Sequence, residues 1–365
     1  MRYFFLAIFL YPLIAFGQNK SLDKVIKELD FSQDTMLAVY NWVTDNIRYD
    51  IDKVGSGVYY LQKQDFVADV IKSKRGVCQH YSELFNAIAN ELGYEAYVIG
   101  GYVLKNGEIS DDIGHAWNVV KRDGDWKLYD STWGAGLLDG RTFRKRYDKK
   151  WFETDPEVFI KTHVPFDPIW QLRKHPVNNF DYAKGQLNSS VYRSFNYKDS
   201  INLFSRQDEK SKLMSSYKRM KNAGLNNRVL KDWIKVMERN IEVFEHNEKV
   251  EVMNSHVDIL NNTIGEMNQV VSTFNNYIEG KNRRFKSSKW TDERLKQTIV
   301  DMRTSSTKAL SNLRSIRDTE NDDLRKNVRN NLNSLLDIRR NIDQETEFMI
   351  RYIEANPIER KALFR

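Results

Sequence analysis

Gly76-Val77-Cys78-Gln79-His80-Tyr81-Ser82-Glu83-Leu84-Phe85 reads as the start of a helix led by the one cysteine of the 365-residue chain. Leu84, Phe85, Ile88, Ala89 and Leu92 share one side of that helix, and Gly93 stops it. A helix N-terminus carries partial positive charge and backbone N–H groups without intrahelical acceptors. Both favour a thiolate, the nucleophilic form of cysteine. The N–H of Cys78 is also placed to help hold an oxyanion. A lone cysteine makes no internal disulfide, and its bland alternative is a small buried apolar residue.

Upstream, Ser32–Thr35 opens a helical stretch carrying Leu37, Val39, Trp42, Val43 and Ile47 at three- and four-residue steps, and residues 66–72 form another short helix. Downstream come three β-like runs, 96–104, 115–121 and 126–130, with Asn106-Gly107 and Asp123-Gly124 as turn dipeptides. Helices followed by an antiparallel sheet make an α+β domain. Residues 151–180, rich in proline and aromatics, form an irregular wrap over it.

A thiolate needs a basic partner, and the chain has six histidines. His246 and His256 fall in a helical region, His163 and His175 in the wrap. His80, two positions beyond Cys78 on the same helix, points to a different side. His115, at the start of a β-like run, is the best candidate. With Asp123-Gly124 as a two-residue turn, Arg122 pairs with Asp125, Val119 with Leu128 and Trp117 with Asp130. His115 and Asp130 then become diagonal neighbours on one face, within side-chain reach. Trp117, Val119, Trp126 and Leu128 share that face, so the two polar groups should hydrogen-bond. Such a pair fits a satisfied polar pair of the core as well as an oriented base.

These segments resemble the transglutaminase-like superfamily. Residues 76–85 resemble its nucleophile motif, Gly114-His115-Ala116-Trp117-Asn118 its histidine motif and Tyr129-Asp130-Ser131-Thr132-Trp133 its aspartate motif, in the family's order. Trp42-Val43-Thr44-Asp45-Asn46-Ile47-Arg48-Tyr49-Asp50 resembles its opening helix. Thr162-His163-Val164-Pro165 and Asp167-Pro168-Ile169-Trp170 resemble the wrap of bacterial and kyphoscoliosis-peptidase-like members. The resemblance covers residues 35–180 or so. It implies a papain-like fold and thioester chemistry on a peptide or protein substrate, with Cys78 as nucleophile, His115 as its ion-pair partner and proton donor, and Asp130 orienting His115. It implies a cysteine peptidase or amidase, an acyltransferase on the same triad, or a non-catalytic peptide-binding scaffold. Trp42 and Tyr49 read as core. No calcium-loop pattern is present, and Asp111-Asp112 reads as a solvated loop, so no cofactor or metal is expected.

From about residue 205 to 355 proline is absent and apolar residues recur with helical spacing. Val250, Met253, Val257, Leu260, Ile264, Met267, Val271, Phe274 and Ile278 alternate three- and four-residue steps, a coiled-coil seam with Gly280 as its stop. Runs through 229–244, 295–316 and 324–342 carry further stripes. These helices are expected to fold as long antiparallel hairpins or to self-associate through the seam, and to bind a protein partner or pack on the first domain. Arg2, the apolar run Tyr3–Phe16 and Ala15-Phe16-Gly17 read as a cleaved export signal, too short to span a membrane, which places the mature protein in the periplasm or outside the cell. The expected organisation is 1–17 signal, 18–184 transglutaminase-like domain and 185–365 helical coiled-coil domain. Lys plus Arg exceed Asp plus Glu by seven, 57 against 50, with the signs interspersed, which disfavours a nucleic-acid partner.

Overall fold

The computed structural model describes residues 20–54, 63–105, 108–109, 114–187, 194–225, 227–316 and 320–364. The export signal, the Asn106-Gly107 turn and Asp111-Asp112 lie outside the described residues. The elements run α1 (Lys20–Lys27), α2 (Thr35–Asn46), β1 (Arg48–Tyr49), α3 (Lys63–Ser73), β2 (Arg75–Gly76), α4 (Cys78–Glu91), β3 (Ala96–Lys105), β4 (Glu108–Ile109), β5 (His115–Arg122), β6 (Asp125–Tyr129), α5 (Ser131–Ala135), β7 (Gly136–Asp139), β8 (Thr142–Lys145), α6 (Pro156–Phe159), β9 (His163–Pro165) and α7 (Asn179–Ala183). There follow α8 (Tyr197–Ser205), α9 (Glu209–Asn222), α10 (Arg228–Asn282), α11 (Asp292–Ser315), α12 (Asp322–Glu354) and α13 (Pro357–Ala362).

The central sheet is antiparallel, in the order β4-β3-β5-β6, with β9 also on β3. The β5–β6 hairpin has the register expected from its turn: Arg122 opposite Asp125 and Val119 opposite Leu128. Asp123 and Gly124 both have positive φ, 51° and 81°, as the tight primed hairpin turn requires. Asp130 lies just beyond the paired residues. Unlike the one-sided hairpin of the sequence reading, β5 is buried on both faces from His115 to Val120. Trp117 and Val119 pack into the main core, while Asn118 on the other face donates to Ser82 O at 3.0 Å and so ties β5 to α4.

Helix α4 is buried on nearly every side, as expected of a helix surrounded by α2, α3 and the sheet. Tyr81, Leu84, Phe85, Ile88 and Ala89 are all without exposure. Tyr81 Oη donates to Ile47 O at 2.8 Å, which fixes the helix start against the end of α2. The parallel pairing of β1 with β2 sets Tyr49 beside Gly76.

The chain forms two compact units that divide between Phe244 and Glu245, whereas the change of sequence character had suggested 184/185. The reason is apolar. Leu213 and Met220 of α9 and Leu230, Ile234 and Met237 of α10 join Tyr102, Val164 and Phe166 in one buried cluster. Arg219 forks onto the buried Asp167 carboxylate at 2.8 and 2.6 Å, and Ser216 donates to it at 2.7 Å. The stripe Val229, Trp233, Met237, Ile241 and Phe244 therefore packs within the first unit.

In the second unit α11 runs antiparallel to α10 and α12, which are parallel to each other. Leu260 and Met267 meet Ala309, Leu313 and Leu335 at one end, and Val270 and Tyr277 meet Leu295, Ile299, Ile342 and Tyr352 at the other. The expected seam is displaced: Val257 is 38% exposed, while Thr263, Val270 and Tyr277 are buried. Two partner helices draw a wider stripe than one. Gly280 does not stop α10, which runs to Asn282. A Cβ there would lie 2.6 Å from the Trp290 ring, so the glycine makes room for that indole.

This packing predicts that a fragment of residues 20–244 unfolds cooperatively in urea. A fragment ending at 184, stripped of α9 and α10, should bind a hydrophobic dye and show no sharp transition.

Candidate active site

Asp130 follows the end of β6 and caps the N-terminus of α5, with backbone at φ −121° and ψ 92°. Its Oδ1 accepts from the N–H groups of Thr132 at 2.9 Å and Trp133 at 3.0 Å. Its Oδ2 meets Nε2 of His115 at 2.8 Å and Nε2 of His163 at 3.0 Å. The residue has no exposure. Burial works against its charge, but the His115 cation and the hydrogen bonds from both rings hold the carboxyl well below the usual range.

His115, the first residue of β5, pairs with Gly101 of β3. A Cβ on Gly101 would stand 2.3 Å from both the Trp117 ring and Val164 O, so this glycine lets Trp117 and β9 close on the strand. With Nε2 committed to Asp130, Nδ1 is the nitrogen left for a second partner. Cys78 lies near enough for its thiol to act on the charge of this ring. Burial alone would lower the His115 ring, yet the charge and hydrogen bond of Asp130, with a smaller contribution from Cys78, push it up to about 10. The ring is held ready to be a cation.

Cys78 is buried at the first position of α4, behind Val77 as N-cap. As the first helical residue it has no intrahelical acceptor for its N–H. His80 serves the helix start: its Nδ1 accepts from Val77 N at 3.3 Å, and its ring lies 5.2 Å from Phe66, with Nε2 3.5 Å from Asp69. Gly76 is required there, because a Cβ would come within 2.4 Å of His80 Cβ. The structure hydrogen-bonds His115 to Asp130, leaves Cys78 near enough to His115 to act on its charge, and keeps His80 facing α3. Tyr49, read from sequence as core, is half-buried, and its hydroxyl feels the charges of Cys78 and Asp130. Burial first, then those charges, keep it a neutral phenol.

His163 was placed in the wrap by sequence and given no role at the site. It sits on β9 without exposure, with Nδ1 2.8 Å from Thr162 Oγ1. Burial pushes its ring down to about 4, against the pull of Asp130 and with the repulsion of His115 and Lys150. One carboxylate neutralises one imidazolium, and His115 takes that place. A sequence signal existed in the Thr-His-Val-Pro stretch, a short extended run in an aromatic-rich part of the chain. His115, Asp130 and His163 offer donor atoms within 4.8 Å of one another, a spacing that three ligands of one cation also have. Here both ring nitrogens meet the carboxylate oxygen at hydrogen-bond distance, 2.8 and 3.0 Å, so the donor set fits shared protons.

Helix α4 set against the antiparallel sheet is a papain-like α+β arrangement, and the chain carries a transglutaminase-like core. Residues 21–131 match the family model of the transglutaminase-like superfamily, a stretch that contains Cys78, His115 and Asp130. The chain is similar to kyphoscoliosis peptidase of Mus musculus, 30% identical over 216 residues, or 52% of this chain and 32% of that protein. The Homo sapiens kyphoscoliosis peptidase is 29% identical over 210 residues, covering 51% and 31%. Hillarin of Drosophila melanogaster is 31% identical over 117 residues, covering 27% and 14%. The chain thus spans about a third of the length of the kyphoscoliosis peptidases.

Two buried rings make stability fall with acid. His80 and His163 are both lowered to about 4, first by burial, against about 6.5 in an unfolded chain. Between those values the unfolded chain binds protons that the folded one refuses, which costs up to about 1.4 kcal/mol per pH unit for each ring. His115, raised, has the opposite sign: its contribution is complete below about 6.5 and is lost only as pH rises through about 10. The urea midpoint should fall steadily from pH 6.5 to 4. His80→Gln, which keeps an acceptor for the helix start, should flatten that limb by one ring's share.

Proposed function

We propose that this protein is an exported thiol hydrolase that cleaves amide bonds in peptides or proteins through a thioester on Cys78. The observation that carries the reading is a buried imidazole 2.8 Å from a buried carboxylate, with the thiol of Cys78, at a helix N-terminus, near enough to act on its charge. The Cys78 thiolate attacks the carbonyl carbon, and the carbonyl oxygen takes the negative charge beside the Cys78 N–H. As the intermediate collapses, the C–N bond breaks and His115 gives its Nδ1 proton to the departing amine. Water then attacks the thioester, His115 takes its proton, the C–S bond breaks and the acid leaves. Asp130 keeps His115 in the tautomer with a proton on Nε2.

The similarity to kyphoscoliosis peptidases supports hydrolysis. The first half-reaction serves an acyltransferase equally, and the competition of amine with water for the thioester separates the two. The apolar run Tyr3–Phe16 before Ala15-Phe16-Gly17 supports export. The helical second unit suits a binding or positioning module for a protein partner or a second copy.

The test is Cys78 alkylation by iodoacetamide as a function of pH, in the native protein and in His115→Ala. The native rate at pH 6 should exceed the variant's by about tenfold or more, since the proposed mechanism makes the imidazolium the main support of a thiolate there. Equal rates would turn the reading to a peptide-binding scaffold. On a peptide amide that is cleaved, a large excess of a primary amine should leave the free acid as the main product. An amide product would mark an acyltransferase.

A further inference from the structure

We propose that His163 is a positioning residue: sealed in an aromatic box as a neutral ring, it donates Nε2–H to Asp130 Oδ2 and holds that oxygen against His115. The inference rests on the reading in which His115 serves Cys78, and it adds a residue outside the three expected from sequence.

The tautomer follows from the partners. Nε2 lies 3.0 Å from a carboxylate oxygen and so carries a proton. In a neutral ring Nδ1 then accepts, and its partner at 2.8 Å is the Thr162 hydroxyl, which otherwise faces Phe159 O at a longer 3.3 Å. The Thr162 proton therefore goes to the ring. Aromatic rings close the rest: Phe159 stacks at 4.0 Å, with Trp133 at 4.4 Å, Trp151 at 5.1 Å and Trp117 at 5.3 Å. The charged groups that face it are Asp130, His115 with its ring 5.5 Å away, and Lys150. A second cation there would meet the first across one carboxylate, with neither His163 nor Asp130 exposed to solvent.

The arrangement has a chemical consequence. Asp130 Oδ2 divides its lone pairs between two donors, and Oδ1 is committed to the backbone of α5. A carboxylate with every lone pair engaged is a weaker base toward each donor. His115 is thereby oriented without being gripped so tightly that its proton cannot pass to a leaving amine. If His163 loses its donor, the whole charge of Oδ2 falls on His115.

The experiment is a titration of the histidine rings by nitrogen-detected NMR, on the full chain with Cys78 blocked by iodoacetamide. His163→Phe keeps the ring and its stacking but not the donor, and His163→Gln keeps a donor. The His115 midpoint should rise by about one pH unit, a tenfold change in proton affinity, in His163→Phe and return in His163→Gln. His163 in the native chain should show the Nε2–H neutral tautomer down to pH 5. A His115 midpoint unmoved in a folded His163→Phe protein overturns the proposal. So does a native His163 that is charged, or protonated on Nδ1, at pH 6 to 7, a result that stands even where the Phe variant does not fold. Failure of the thiol-enzyme reading shows elsewhere, as native alkylation insensitive to His115→Ala.

Discussion

The carboxylate of Asp130 is a negative charge with no exposure, and a buried charge is tolerated only when its lone pairs are engaged. The chain engages them from three directions: backbone N–H groups of α5 immediately after it, His115 from the neighbouring strand, and His163 from β9 on the far side of β3. One interaction thus locks together segments 15 and 33 residues away in sequence. It also divides two chemically identical rings into a cation-ready one and a neutral one. That division leaves His115, the ring on whose charge Cys78 acts, as the one able to carry a proton.

The nucleophile side is built to the same tolerance by backbone and not by charge. Gly76 lets His80 fold back over the start of α4, Tyr81 anchors that start to the end of α2, and Asn118 ties the next turn to β5. Cys78 and His115 are carried by the two elements that Asn118 joins. The helices α8, α9 and the first part of α10 clad this core through Ile201, Leu213, Met220 and Leu230, with the Arg219–Asp167 pair closing a gap in the apolar contact. The family model's match ends at residue 131, yet the first unit includes these helices.

Much of the site was legible because local rules set it. Asp123-Gly124 fixes a two-residue turn, the turn fixes the register, and period two then puts His115 and Asp130 on one face. His163 obeys no such rule. It lies in an irregular segment with no periodicity, and only the pairing of Val103 with His163 carries it to Asp130. The unit boundary escaped for a related reason: the change near residue 185 marks a change of secondary structure, while membership of a core depends on long-range packing. In the second unit the three–four alternation located the helices but not their buried face. Burial of Thr263 and Tyr277 in place of Val257 reflects a third helix whose position no single stripe encodes.

The most direct test of this account is Asp130→Asn, followed by the rate of Cys78 alkylation at pH 6 in protein checked for its native fold by circular dichroism. An amide has the shape of the carboxylate without its charge, so neither ring is held as a cation. The account predicts a folded protein whose alkylation is slowed about tenfold or more, with the thiol reacting fully only near the ordinary cysteine range of about 8.5. An alkylation rate equal to that of the native protein, in a folded variant, would contradict the claim that this buried charge organises the site.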